Sequence, residues 1–189
     1  MNLPNKLTIG RLIMSPVFYI VYFIPLWTGR FAGLSVYVLA VIFLAIEISD
    51  FLDGYIARKY DIVSDLGKVL DPFADVVSRL TYFLCFASTG IMPMWVFLVL
   101  MYRELGIIFF RMVMMKKGVV VAASIWGKLK AITYAVAGVL GVLVVFIQRT
   151  GFLSGISAGL TVVTLVVFIA AAVASVASFI TYIIAARNL

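Results

Sequence analysis

An all-α, polytopic membrane protein is the fold class this sequence predicts, and three observations predict it. Hydrophobic residues fill 65% of the 189 positions and charged residues only 12%, about half the charged share of an ordinary soluble domain. The mean hydropathy is +1.21. Apolar runs recur from Leu12 to the C-terminus, and several reach the ~20 residues that a helix needs to cross a hydrocarbon core of about 30 Å.

Hydropathy and chain breakers divide the sequence into six transmembrane segments. The first, 12–28, ends at Trp27-Thr28-Gly29-Arg30, and the second covers 32–57. The third, 68–89, and the fourth, 92–115, are separated by Gly90-Ile91-Met92-Pro93. Arg149-Thr150-Gly151 stands between the fifth, 127–148, and the sixth, 154–185, which carries no charge between Gly151 and Arg187. Ahead of them, MNLPNKLTIG predicts a short N-terminal interfacial helix with Leu3, Leu7 and Ile9 toward lipid. No cleavable signal is expected, because the apolar run lacks a small-residue cleavage site. There is no internal repeat, so a single domain over 1–189 is the economical reading.

An even number of spans puts both termini on one side. Lys6, Arg11, Arg58, Lys59, Lys68, Lys116, Lys117, Lys128, Lys130 and Arg187 fall on that side, and only Arg30 and Arg149 on the other. The positive-inside rule then makes the termini and the 58–68 and 116–130 loops cytoplasmic. The net charge of +7 is this topology signal, and it would also draw anionic headgroups to that face. The single cysteine, Cys85, reads as a small buried hydrophobe. With no histidine in the chain, acid–base or metal chemistry must rest on carboxylates.

Those carboxylates are concentrated. Six of the eight acidic residues lie in SDFLDGYIARKYDIVSDLGKVLDPFADVVSRL, residues 49–80. Asp50 and Asp53 are three apart, Asp71 and Asp75 four apart, so each pair shares a helix face. An antiparallel pairing of the two helices would bring the pairs together. Like charges so close need compensation, and charge within a membrane is expensive. A divalent cation answers both, and an all-oxygen donor set favours Mg²⁺, Ca²⁺ or Mn²⁺ over zinc. Such a site can hold two ions that clamp a phosphoryl transfer. Gly54 would let a ligand or neighbouring helix approach, Gly67 clears the entry to the second helix one turn before Asp71, Ala57 shares the face of Asp50 and Asp53, and Arg58 suits a phosphate. Asp61 and Asp65 read as solvated helix ends.

The full pattern Asp50-x2-Asp53-Gly54-x2-Ala57-Arg58-x8-Gly67-x3-Asp71-x3-Asp75 resembles the signature of the CDP-alcohol phosphatidyltransferases at every specified position. The resemblance implies a six-span fold, usually a homodimer, with a binuclear Mg²⁺ or Mn²⁺ site at the cytoplasmic membrane surface. It implies that Asp50, Asp53, Asp71 and Asp75 bind metal and that Asp75 is also the general base. Gly54, Ala57, Arg58 and Gly67 would line the CDP pocket. Asn5, Thr8 and Arg11 match the family's N-terminal motif and would sit near the nucleotide or acceptor; locally they read equally as a cap and anchor.

The acceptor is read from the rest of the chain. In VLMYRELGIIFFRMVMMKKG, Arg103, Glu104 and Arg111 lie inside a span, where charges are functional candidates. One reading is an ion pair in which Glu104 neutralises an arginine. The other joins Arg103 and Arg111 with Lys128 to grip a phosphomonoester. NLPNKLTIGRL, YRELGIIFFR and GKLK resemble the branch that uses sn-glycerol 3-phosphate and CDP-diacylglycerol, the phosphatidylglycerophosphate synthases. One position departs: where that branch usually has a lysine after the last signature aspartate, this chain has Val76, and Arg79 either replaces the charge or pairs with an aspartate. Rival readings are another acceptor (inositol phosphate, phosphatidylglycerol, serine or choline), a CDP-choline or CDP-ethanolamine donor, and a divalent-cation transporter. All six aspartates crowd toward one face, which opposes the transporter.

Overall fold

The computed structural model describes residues 3–60, 65–116 and 125–187, without the side chains of 57–58, 65–66, 68, 115–116 and 185–187. Among the described residues there are six α-helices and no strand. They are α1 (Leu3–Thr28), α2 (Ala32–Lys59), α3 (Asp65–Ser88), α4 (Met94–Lys116), α5 (Ile125–Thr150) and α6 (Ser157–Arg187), with a 3-10 turn at Ser154–Ile156 before the last. Helices are the natural outcome for such runs, because in hydrocarbon every backbone N–H and C=O must be satisfied within its own segment.

The helix ends fall where the breakers predict them. Gly29, at φ +67°, donates its N–H to the Pro25 carbonyl at 2.9 Å, and Gly151, at φ +69°, donates to Ile147 at 2.9 Å. Both occupy the left-handed position that closes a helix and that glycine alone adopts without strain.

The N-terminus differs from expectation. Residues 3–11 are the first turns of α1, continuous with the apolar run, and do not form a separate element. The reason lies in a stripe spaced three, three and four apart: Asn5, Thr8, Arg11 and Ser15 are all buried. That polar face finds partners on α2 and α3, so the helix continues, while Leu3 on the other side stays exposed. Pro4 sits in the first turn, where a missing N–H costs nothing.

Among the described residues four segments are long and apolar enough to cross a membrane: α1, Ala32–Ile56 of α2, α5, and Ser154–Ile184. Their outer faces carry exposed residues such as Leu34, Val41, Val162 and Val173, as lipid contact requires. The chain is a membrane protein. Helices α3 and α4 carry more charge, with Asp71, Asp75 and Arg79 on one and Arg103, Glu104 and Arg111 on the other.

The chain forms two compact units. The first comprises residues 1–85 and 145–154. In it α1 packs along α2, and α3 joins them at Tyr82, whose ring meets Phe43 edge-on at 5.3 Å and Phe18 at 6.4 Å. At the opposite end of this unit from the aspartates, Arg149 donates to the Ser35 hydroxyl at 2.9 Å and the Tyr22 carbonyl at 2.7 Å. Ser35 and Asp53 lie on α2 roughly 27 Å apart along its axis.

The second unit comprises residues 86–144 and 155–189. Here α4 packs on α6, whose buried stripe of Ala171, Ala172, Ala174, Ser175 and Ser178 permits close approach, as small residues do in membrane helices. Gly106 faces the Phe179 ring, and Gly141 lies directly against the Phe86 ring.

Candidate active site

Within the first unit, α2 and α3 carry the two aspartate pairs and α1 lays its polar stripe against them. Asp53 is almost fully buried, while the side chains of Asp50, Asp71 and Asp75 keep 35%, 38% and 28% of their surface exposed. One carboxylate is therefore deep and three are accessible. The spacing argument predicted that the pairs meet, and three of the four converge on one side chain.

That side chain is Arg11. Its Nη1 donates to Asp50 Oδ1, and its Nη2 donates to Asp53 Oδ2 at 2.6 Å and lies 3.8 Å from Asp71 Oδ1. The neighbouring Thr8 hydroxyl is 2.5 Å from Asp71 Oδ1 and 3.4 Å from Asp53 Oδ2. One turn further, the Ser15 and Ser78 hydroxyls are 2.9 Å apart, tying α1 to α3. Asn5 is also buried on this face, Gly67 is buried in α3, and Gly54 is partly exposed.

Arg79 completes the cluster. It bonds Asp75 at 2.8 Å, one helical turn away on α3, and reaches Asp50 across the helix pair at 3.5 Å. Of the two roles open to it, Arg79 therefore takes the pairing with aspartates. Val76 is buried and plays no part in these ion pairs. Beneath the cluster, the Tyr82 hydroxyl donates to Glu47 Oε1 at 3.3 Å. Ala57 and Arg58 belong to the last turns of α2, but their side chains lie outside the described residues, as do Asp61 and the side chain of Asp65.

The donor set is oxygen only, which suits a hard divalent cation. Four aspartates against two arginines leave these six side chains with a formal charge of −4 + 2 = −2, the charge that one such ion would balance. Among the described residues no three carboxylates are close enough to share an ion, and the Arg11 guanidinium is bonded to both Asp50 and Asp53. By donor type and charge the residues fit a divalent cation.

In the second unit a different ionic cluster is built. Glu104 accepts from Arg103 Nη1 at 2.9 Å and from Lys130 at 2.5 Å, all three side chains being nine-tenths or more buried. Arg103 also donates to the Ser175 carbonyl at 3.2 Å and the Ser178 hydroxyl at 3.0 Å, and Tyr134 meets Ser175 at 2.8 Å. Arg111 is exposed, its guanidinium 5.9 Å from the Tyr182 ring centre, and Lys128 is exposed. The reading of Glu104 as an arginine's partner is thus realised, with a second cation. Lys130 was legible only as a topology charge. Its i+4 partner Tyr134, 4.6 Å from the ammonium, was the available signal that it faces inward.

The family profile described as CDP-alcohol phosphatidyltransferase matches residues 1–176. Over 140 residues the chain is 40% identical to the CDP-diacylglycerol–glycerol-3-phosphate 3-phosphatidyltransferase of Treponema pallidum, covering 71% of this chain and 65% of the relative. The enzyme of the same name from Bacillus subtilis is 35% identical over 135 residues, 68% of this chain and 70% of the relative. That of Rickettsia bellii is 47% identical over 74 residues, 39% of this chain and 38% of the relative. The matched region thus spans about two thirds of the first two relatives. With the profile covering nearly the whole sequence and the aspartates, Thr8 and Arg11 gathered at one end of three helices, the chain belongs to the CDP-alcohol phosphatidyltransferase family.

Proposed function

We propose that this protein transfers the phosphatidyl group of CDP-diacylglycerol to sn-glycerol 3-phosphate, giving phosphatidylglycerophosphate and CMP. The observation that carries the reading is the gathering of Asp50, Asp53 and Asp71 around one buried guanidinium, with Asp75 next to them on Arg79. The names of the relatives supply the donor and acceptor.

The family is generally dependent on divalent metal. Asp50, Asp53, Asp71 and Asp75 would hold the metal, two Mg²⁺ or Mn²⁺ ions. When bound, these would offset the charge of the pyrophosphate and polarise its oxygens. Asp75, accessible and oriented by Arg79, takes the proton of the acceptor hydroxyl. The resulting oxygen attacks the lipid-bearing phosphorus, the bond from that phosphorus to the CMP oxygen breaks, and CMP leaves. Holding the two substrates in line carries much of the barrier reduction. Asn5, Thr8, Gly54, Ala57, Arg58 and Gly67 are assigned to the CDP pocket, and the exposed Arg111 and Lys128 to the acceptor phosphate; Arg103 could join them only by leaving its bonds to Glu104, Ser175 and Ser178.

All six helices would span the cytoplasmic membrane, α3 and α4 included, since Arg79, Arg103 and Glu104 are paired within the protein as intramembrane charges must be. The distribution of Lys and Arg supports termini and active site on the cytoplasmic side, and the family resemblance implies a homodimer.

The test is CMP release by purified protein in detergent, with CDP-diacylglycerol, Mg²⁺ and one acceptor at a time. Release with glycerol 3-phosphate alone, lost in Asp75→Asn, is the expected result. Val76 is the observation that favours a second reading, in which the acceptor differs; release with inositol phosphate or another alcohol instead would select it.

A further inference from the structure

Resting on the metal-dependent reading above, we propose that Arg11 is a displaceable counter-cation: a positioning residue that holds Asp50, Asp53 and Asp71 together in the metal-free protein and yields their oxygens to an arriving divalent ion. Arg11 comes from a third helix, α1, and is inserted between carboxylates of α2 and α3 with 1% of its side chain exposed. Its two terminal nitrogens are engaged with carboxylates, yet its Nε is buried with no hydrogen-bond partner among the described residues. An arginine built permanently into a socket usually has its N–H groups satisfied. This one is retained by charge on one side only, and a divalent ion supplies that charge in a more compact form.

Competition follows from distance. Mg²⁺ binds carboxylate oxygens at about 2.0–2.1 Å, and Asp53 Oδ2, one of the carboxylate oxygens open to it, lies 2.6 Å from Arg11 Nη2. An ion and the guanidinium on that same oxygen would be close like charges, and Arg11 also holds Asp50 Oδ1. The two cations therefore oppose each other's binding, and such coupling is reciprocal.

The experiment is Mn²⁺ titration of the purified full-length protein in detergent, by calorimetry and by electron paramagnetic resonance, for wild type, Arg11→Gln and Arg11→Lys, with Asp53→Asn as the non-binding control. Arg11→Gln is expected to bind Mn²⁺ roughly tenfold tighter than wild type, with Arg11→Lys between them. Mn²⁺ should also raise the melting temperature of Arg11→Gln more than that of wild type. Equal or weaker affinity in folded Arg11→Gln overturns the proposal. Should that variant not fold without metal, the ¹⁵N signal of the wild-type Arg11 guanidinium, assigned through Arg11→Lys, decides. It must move on saturation with Mg²⁺, and an unmoved signal overturns the proposal. Absence of metal binding in every form would overturn both this inference and the metal assignment beneath it, whereas unchanged affinity in an active enzyme removes the inference alone.

Discussion

Arg11 of α1 donates to Asp53 of α2 across 2.6 Å with both side chains almost fully buried. This bond joins the N-terminal motif to the aspartate signature 42 residues away, and it gives the deep carboxylate of the cluster its counter-charge. Asp53→Asn should leave the helices in place, since Arg11 retains Asp50. It should lower CMP release at least roughly a hundredfold, about 2.7 kcal/mol of barrier. Initial rates with CDP-diacylglycerol and glycerol 3-phosphate, beside a melting curve in the same detergent, check both statements.

Arg79 spans Asp75 and Asp50, and its effect on the reaction passes through them. Partners that orient a working group typically contribute about 10–100-fold. Arg79→Gln should lower kcat by that order with little change in the KM for glycerol 3-phosphate, and Arg79→Lys should recover part of the loss. A rise in KM with kcat intact would place Arg79 on the acceptor instead.

Glu104 is one buried carboxylate serving two buried cations. Glu104→Gln leaves Arg103 and Lys130 without their neutralising partner, and breaking a buried pair in this way costs about 3–5 kcal/mol. Thermal denaturation in detergent should show a large fall for Glu104→Gln and a smaller one for Glu104→Asp. If Arg103 also serves the acceptor, Glu104→Asp should raise the KM for glycerol 3-phosphate while leaving that for CDP-diacylglycerol unchanged.

Gly141 offers a test of packing alone. A β-carbon there would collide with the Phe86 ring, which is itself fully buried. Overpacking of this kind costs about 1–3 kcal/mol, which should exceed the roughly 1 kcal/mol that alanine gains over glycine in a helix. Gly141→Ala is therefore expected to melt below wild type.

The sequence by itself determined the helical membrane class, the positions of α2 to α6 to within about three residues, and the identity of the family. Long apolar runs admit one backbone solution in hydrocarbon, glycines at 29 and 151 terminate helices by their own geometry, and the spacing of Asp50, Asp53, Asp71 and Asp75 fixes which residues share a face. Tertiary structure alone decided the partners. Local pattern reads MNLPNKLTIG as an interfacial helix from Leu3, Leu7 and Ile9 alone, and nothing along the chain shows that Thr8 and Arg11 meet carboxylates from residues 50–75. In the same way, Arg79 had two possible roles until α2 and α3 packed with Asp50 and Asp75 around it, and Lys130 was one of ten topology charges until Glu104 met it. Helix period and hydropathy are properties of neighbours along the chain. The partner of a buried charge is chosen by which distant side chain can repay its desolvation, and only the packed helices supply that choice.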